Sequence, residues 1–166
     1  MDKIPRRILT IDIGKACGWA KAVKGIPVAW GTAGIVEQGR KTLLQVWRDW
    51  LEVTIDQFNP DYIVYEKPFV SRNAASVLLM QREGVLLMIA SDYGVDIQGV
   101  AVSTLKKVVT DNGRADKDAM VAEINLLFGI DVATDHEADA LACLVWAIKN
   151  LTKLPGRIRK FKGRSK

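Results

Sequence analysis

The sequence predicts an α/β domain with a five-stranded mixed sheet flanked by helices. Short apolar segments of strand character alternate with long segments whose apolar residues recur at helical spacing. The first three strand-like segments follow one another closely, which favours an antiparallel three-strand meander. The two further strands are each reached through a helix, and a crossover helix is the usual connection between parallel strands.

The strands are predicted from apolar and β-branched runs that are bounded by turn residues. The opening strand lies in the segment 7–20 and carries a carboxylate, Asp12, two residues before Gly14. A turn at residues 24–26 separates the second strand from the third, and the fourth strand ends on another carboxylate, Glu66. The strands after the first are predicted at residues 18–23, 27–35, 61–66 and 95–102.

The helices are predicted from apolar residues that recur every three to four positions. Ser103 and Thr104 can cap a short helix after the fifth strand. The helix that starts near Ala74 has apolar residues on more than one face, which is typical of a helix enclosed in the core or paired with a partner subunit. The other helices are predicted at residues 40–58, 116–128 and 134–151, and the apolar one at 74–93.

Length and charge predict one domain, residues 1–154, followed by a basic and flexible tail, residues 155–166. The chain has 166 residues and a formal charge of +5, and the tail contains no acid. A basic tail on an otherwise balanced chain favours a nucleic-acid partner. The N-terminus does not resemble a signal peptide, and no uninterrupted apolar run is long enough to span a bilayer. Cysteine occurs only at two separated positions, and we therefore expect a reduced, cytoplasmic setting without a membrane.

Three carboxylates on separate elements carry the predicted chemistry. Asp12 and Glu66 lie on buried strands, and Asp139 lies in an apolar part of the last helix, with His136 one turn before it. Each has a simpler explanation: Asp12 could cap the turn at Gly14, acids at a helix start complement its dipole, and a lone histidine is often structural. Three buried carboxylates together, however, need a cation.

Oxygen ligands with few nitrogens suit Mg²⁺, or Mn²⁺ in its place, rather than Zn²⁺. Two such ions in one site would activate water and stabilise the leaving oxygen in phosphodiester cleavage. Basic residues elsewhere would bind the polyanionic substrate. The residues alone therefore indicate a metal-dependent nuclease.

Four sequence blocks, in this order and spacing, resemble the RuvC family of Holliday junction resolvases within the ribonuclease H-like superfamily. They are ILTIDIGKACGWA, IVYEKPFVSRNAASVLLMQREGV, STLKKVVTDNGRADKDAM and DHEADALACLVWA. The resemblance implies a ribonuclease H-like fold, and it implies catalytic, metal-binding roles for the three carboxylates. His136 falls where the family carries an aspartate or a histidine as the fourth member of the site. Lys106 and Lys117 match basic residues close to the scissile phosphate, although a solvated helix surface is the alternative.

The same resemblance implies how the protein contacts DNA and itself. Phe69 matches an aromatic residue that stacks on bases at the junction centre, with core packing as the alternative. The helix that starts near Ala74 would form a homodimer interface. One departure is the loop at residues 15–17, which is one residue shorter than usual and has Cys17 where the family usually has threonine. Backbone contacts to DNA are expected from Arg72, Asn73, Lys107 and Arg114.

The expected function is a structure-selective endonuclease that cleaves four-way (Holliday) DNA junctions by paired symmetric nicks. Compact size would suit a phage-type member of the family. The alternatives are a less selective nuclease for three-way and flap DNA, a YqgF-like nuclease that acts on RNA, and a junction-binding protein that does not cleave. A two-domain ATP phosphotransferase, which also begins with an Asp-x-Gly turn, would need a longer chain.

Overall fold

The computed structural model describes residues 5–14, 16–69, 71 and 73–151. The basic tail therefore lies outside the described residues, as do Lys15 and Arg72. The strands are β1 (Arg7–Asp12), β2 (Ala16–Val23), β3 (Ile26–Gly34), β4 (Tyr62–Glu66) and β5 (Asp96–Val100). The helices are α1 (Leu43–Phe58), α2 (Ala74–Tyr93), α3 (Val102–Thr110), α4 (Lys117–Phe128) and α5 (Asp135–Asn150).

One five-stranded sheet runs through the molecule in the order β3-β2-β1-β4-β5. The first three strands are antiparallel, whereas β4 is parallel to both β1 and β5. The β2–β3 turn has positive φ at Lys24 (52°) and Gly25 (80°), which is what a two-residue hairpin turn matched to the strand twist requires. The predicted fold class, a meander plus two further strands with flanking helices, is confirmed.

Both faces of the sheet are covered, and alternation along β1 divides its side chains between two cores. Ile8 packs with α3, α4 and α5, whereas Leu9 and Ile11 pack with α1 and α2. All three side chains are fully buried. By the same alternation, Asp12 faces α5, and so does Glu66 at the end of β4.

The helix ends agree with the prediction to within one residue except at the starts of α1 and α3, and α1 begins at Leu43 rather than at residue 40. Thr42 caps α1 in a capping box with Gln45. The predicted cap by Ser103 and Thr104 is wrong, because α3 begins directly after β5 with Ala101 at its N-cap and no side-chain hydrogen bond. Ser103 and Thr104 lie in the first turn, where the carbonyl of Ala101 accepts from the backbone N–H of Thr104. Tertiary pairing of β5 thus sets where this helix starts.

The helix α2 combines great length with incomplete burial. Its length and its mean hydropathy of 1.3 would be sufficient for a membrane-spanning helix. Core helices of soluble proteins can have the same length and hydropathy. Only 28% of its most apolar window is buried. Its apolar residues occupy several faces, as expected, and part of that apolar surface faces solvent.

Candidate active site

The two strand carboxylates lie side by side at the same edge of the sheet. Because β1 and β4 are parallel, their carboxyl ends coincide, and Asp12 is paired in register with Glu66. Both residues end their strands and face the helix α5. Asp12 is 8% exposed. Fifty-four positions separate the two acids in sequence, so only the strand pairing brings them together.

The start of α5 is held against this edge by contacts with the meander. Thr134 caps α5 by accepting from the backbone N–H of Glu137, and its hydroxyl lies 2.9 Å from that of Thr32 on β3. A Cβ at Gly18 would lie 1.9 Å from the carbonyl oxygen of His136. Glycine at position 18 therefore lets the first turn of α5 lie directly on β2.

His136 and Asp139 project from this turn toward the strand acids. Nδ1 of His136 lies 2.9 Å from Oδ2 of Asp12. Its Nε2 lies 4.0 Å from Oδ1 of Asp135. The turn-capping explanation for Asp12 is therefore insufficient, since its carboxylate bonds a side chain 124 positions away in sequence.

Burial and mutual repulsion raise the pKa values of all three carboxylates. Burial, followed by the charges of Asp139 and Asp12, raises the pKa of Glu66 to about 8. Burial and the charges of Asp12 and Asp135 raise the pKa of Asp139 to about 6. Burial also raises the pKa of Asp12, although the hydrogen bond and charge of His136 oppose this. The site thus holds more negative charge than its surroundings stabilise.

A divalent cation fits this arrangement. Oε2 of Glu66 is buried and has no hydrogen-bond partner among the described residues, and such a group is costly unless a ligand satisfies it. Three carboxylates and one imidazole suit a hard divalent ion. Among the described residues, no group of three aspartate, glutamate, histidine or cysteine side chains is already arranged closely enough to hold a metal ion.

A cleft of about 200 Å³ opens beside Glu66 and Asp139. Lys106 and Lys117 line it from α3 and α4, so the structure brings both predicted lysines to the acids. The Lys117 ammonium forms an ion pair with Asp135, which lowers the pKa of Asp135. Asp135 is one of the acids at the helix start that the sequence pattern explains by the helix dipole. Its spacing of four from Asp139, which places both on one helical face, was the signal that could have found it.

The residues expected to contact DNA take different positions. Phe69 follows β4 and is 80% exposed, so core packing is wrong for this side chain. Asn73 uses its side-chain oxygen to cap α2, accepting from the N–H of Ser76. Lys107 and Arg114 are exposed, whereas Arg72 lies outside the described residues.

The sequence of this chain is similar to those of known proteins. The family model "Crossover junction endodeoxyribonuclease RuvC" matches residues 8–147. A protein of that name from Orientia tsutsugamushi (strain Boryong) is 31% identical over 102 residues, which cover 60% of this chain and 64% of the relative. The matched segment thus spans less than two thirds of that relative. The protein of the same name from Rickettsia conorii is 31% identical over 140 residues, covering 77% of this chain and 89% of the relative.

The fold is also similar to that of solved structures. The structure titled "T. thermophilus RuvC in complex with Holliday junction substrate" matches with a TM-score of 0.73 at 19% identity. The match covers 88% of this chain and 97% of that one. At this identity the likeness shows the fold alone, whereas the family model extends from β1 into α5 and includes every acid of the site. The chain therefore belongs to the RuvC family of crossover junction endodeoxyribonucleases.

Proposed function

We propose that this protein is an endonuclease that cleaves four-way DNA junctions by metal-dependent hydrolysis. The observation that carries the proposal is the pairing of Asp12 with Glu66 on a buried sheet edge, where Oε2 of Glu66 has no hydrogen-bond partner among the described residues. An acidic cluster of this kind requires a cation, and a bound phosphodiester requires the same positive charge. The membership of this chain in the RuvC family supports both the proposed reaction and the branched DNA substrate. We expect it to act in the cytoplasm of a bacterial or phage-infected cell.

The RuvC family comprises divalent-metal-dependent nucleases, and we assign the metal site to Asp12, Glu66, Asp139 and His136. We expect two Mg²⁺ ions per site, with Mn²⁺ able to replace them. The bound ions would supply activation of the attacking water and stabilisation of the leaving oxygen. A proton on Nδ1 of His136, donated to Asp12, leaves the Nε2 lone pair free to act as a ligand or to accept a proton.

Lys106 and Lys117 would hold the scissile phosphate on the far side of the cleft. Each ammonium can neutralise charge that develops on the phosphate oxygens during attack. Lys117 is already ion-paired with Asp135, and this pair is exposed enough for a phosphate to compete for the ammonium. We therefore propose that both lysines stabilise the transition state of cleavage.

Phe69 would stack on a base at the centre of the junction. The exposed Phe69 ring is in unfavourable contact with water. Stacking on an unpaired base would be favourable by roughly 1–3 kcal/mol. We assign contacts with the DNA backbone to Arg72, Asn73, Lys107 and Arg114. The amide nitrogen of Asn73 is the atom for such a contact, since its oxygen already caps α2.

A homodimer through α2 would place two active sites on opposed strands and thereby give paired symmetric nicks. The support is a stripe of exposed residues on α2 at positions 77, 80, 84 and 87, a spacing typical of packed helices. Val77, Met80 and Leu87 are 42–54% exposed. Gly84, in the middle of the stripe, has no neighbouring atom where a Cβ would project, which would allow close approach of a second helix.

The test is cleavage of synthetic four-way, three-way and flap DNA, and of matched RNA, by the wild-type protein and Asp12→Asn. We expect Mg²⁺-dependent, paired nicks in the four-way junction. Asp12→Asn should lower the single-turnover rate at least about 10²-fold, since it removes a charge at the reacting centre, but should still bind the junction. Asp96→Asn, an exposed acid at the opposite end of the sheet, is the matched control and should cleave normally.

The other outcomes overturn the proposal in distinct ways. Equal cleavage of all branched DNA would indicate a less selective nuclease, and cleavage of RNA alone would indicate a YqgF-like enzyme. Persistent junction binding without any cleaved product in Mg²⁺ or Mn²⁺ would indicate a binding protein.

A further inference from the structure

Arg82 of α2 is a buried cation outside the cluster of site residues. It is 1% exposed, and burial lowers its pKa. Burial of a guanidinium is unfavourable unless its donors are satisfied, and its Nε has no partner among the described residues. An apolar residue would fill this position at lower cost, so the arginine calls for another explanation.

The two terminal nitrogens of Arg82 bond loops next to the site. Nη1 donates to the carbonyl oxygen of Gly14 at 2.6 Å, and Nη2 donates to that of Ile35 at 3.4 Å. Gly14 is two residues beyond Asp12, and a Cβ at Gly14 would lie 3.2 Å from Oδ2 of Asp12. Arg82 thus fixes the backbone that packs against the Asp12 carboxylate.

The next residue of α2 makes the corresponding contact with the other strand. Glu83 accepts a hydrogen bond of 2.6 Å from the hydroxyl of Tyr65, which directly precedes Glu66 on β4. Tyr65 is 3% exposed and lies on the α2 face of the sheet, opposite to Glu66. Gly99 on β5 makes room for the Tyr65 ring, since a Cβ there would lie 2.6 Å from its Cζ.

Trp47 of α1 supports the same turn of α2. Its indole N–H donates to the backbone oxygen of Arg82 at 2.9 Å, and the Arg82 guanidinium carbon lies 5.8 Å from the centre of the indole ring. Both contacts are buried. One turn of α2 is therefore connected to the ends of both strands that carry the site acids.

We infer that Arg82, Glu83 and Tyr65 form a clamp that positions Asp12 and Glu66 from behind the sheet. They are positioning residues, since each acts through the backbone or through the neighbouring residue of its strand. The clamp keeps the two carboxylates at a fixed separation against their mutual repulsion. The inference rests on the proposed metal site, and it adds residues on the opposite face of the sheet.

The test compares Tyr65→Phe and Arg82→Lys with the matched control Tyr62→Phe. Tyr62 lies on the same strand, at the end away from the site. Tyr65→Phe removes only the hydroxyl, and Arg82→Lys keeps the charge but replaces the two-nitrogen fork with a single ammonium. Glu83→Gln keeps an oxygen that can accept from Tyr65 and serves as the conservative variant.

The first readout is binding of Mn²⁺ to the DNA-free protein, measured by calorimetry. We expect Tyr65→Phe and Arg82→Lys to weaken binding by roughly tenfold, the effect typical of residues that orient metal ligands. The single-turnover cleavage rate at saturating junction should fall by a similar factor, whereas the dissociation constant for the junction without metal should not change. Glu83→Gln and Tyr62→Phe should behave like the wild type.

The result that overturns the clamp is wild-type Mn²⁺ affinity in both Tyr65→Phe and Arg82→Lys. Reduced thermal stability with unchanged Mn²⁺ affinity would likewise assign these residues a purely structural role. If Arg82→Lys does not fold, Tyr65→Phe decides alone. A wild-type protein that binds Mn²⁺ but cleaves no DNA would refute the proposed function and leave the calorimetric comparison intact.

Discussion

The two faces of the sheet use apolar helices in different ways. On one face, α5 lies across the strands and contacts α3 and α4, and nine of its sixteen residues are buried. On the other face, α2 packs on the sheet and α1, and only five of its twenty residues are buried. Both helices are apolar around most of their circumference in the sequence. The difference teaches that apolar content alone does not show whether a helix is enclosed by its own chain.

The enclosed face holds the proposed active site, and the open face carries the proposed dimer interface. Tight packing of α5 brings His136 within hydrogen-bond distance of Asp12. On α2, by contrast, the buried side positions the strands through Arg82 and Glu83, and the other side presents apolar residues to solvent. Close packing at one face and exposed apolar surface at the other agree with the proposed dimer, which would hold two active sites.

The strongest test of the enclosed face is Gly18→Ala. The added methyl would collide with the backbone of α5 at His136, so we expect a loss of about 1–3 kcal/mol in the free energy of unfolding, as in overpacked cores. The cleavage rate should fall with it, because His136 and Asp139 move with that backbone. Denaturant unfolding and single-turnover cleavage measure the two effects.

Gly34→Ala is the matched control for this change. Gly34 also lies in the meander, but nothing lies within 4 Å of its projected Cβ. A Gly18→Ala protein as stable and active as Gly34→Ala would show that α5 does not depend on close approach to β2.

The charge of the enclosed site predicts an unusual pH dependence of stability without metal. The folded-state pKa of Glu66 is raised from 4.5 to about 8, so the unfolded chain ionises first as the pH rises. The stability that Glu66 contributes is therefore fully present below pH 4.5 and is lost as the pH rises toward 8. Asp139, raised from 3.8 to about 6, acts in the same direction. Tm should fall by about 2–4 °C for each kcal/mol lost.

Thermal unfolding across this pH range, with and without Mg²⁺, measures the effect. Glu66→Gln should flatten the dependence, because the amide does not titrate, and Mg²⁺ should reduce it in the wild type. A wild-type Tm that rises between pH 5 and 8 in metal-free buffer would contradict the raised pKa values.

The smallest effect on folding is expected on the open face, from Leu87→Glu. Leu87 is 42% exposed, and a surface substitution of this kind changes the free energy of unfolding by less than about 0.5 kcal/mol. In the proposed dimer, however, the new carboxylate would be buried between two α2 helices, which is unfavourable. The protein should therefore become monomeric in sedimentation experiments. Paired nicking should be lost with the dimer.

Leu126→Glu, which changes a 77% exposed leucine on α4, is the control and should not alter the oligomeric state. If Leu87→Glu sediments like the wild type, the dimer interface does not lie on α2.

Local patterns in the sequence determined much of this fold. The bounds of α2 agree with the prediction, because Asn73 caps the helix and Gly94 ends it with a positive φ of 65°. The apolar run around Asp12 placed this residue on a buried strand, and the spacing of His136 and Asp139 placed both on one helical face. These features depend on neighbours a few residues apart, so the chain carries them without reference to the rest of the molecule.

Tertiary structure decided the remainder. The register of Asp12 with Glu66, the ion pair of Lys117 with Asp135 and the bond from Arg82 to Gly14 join segments far apart in sequence. The start of α3, which the Ser103 and Thr104 pattern misplaced, likewise depends on where β5 pairs with β4. Periodicity along a chain reports which side of an element is apolar. It does not report which buried polar groups meet, because that depends on how the elements pack.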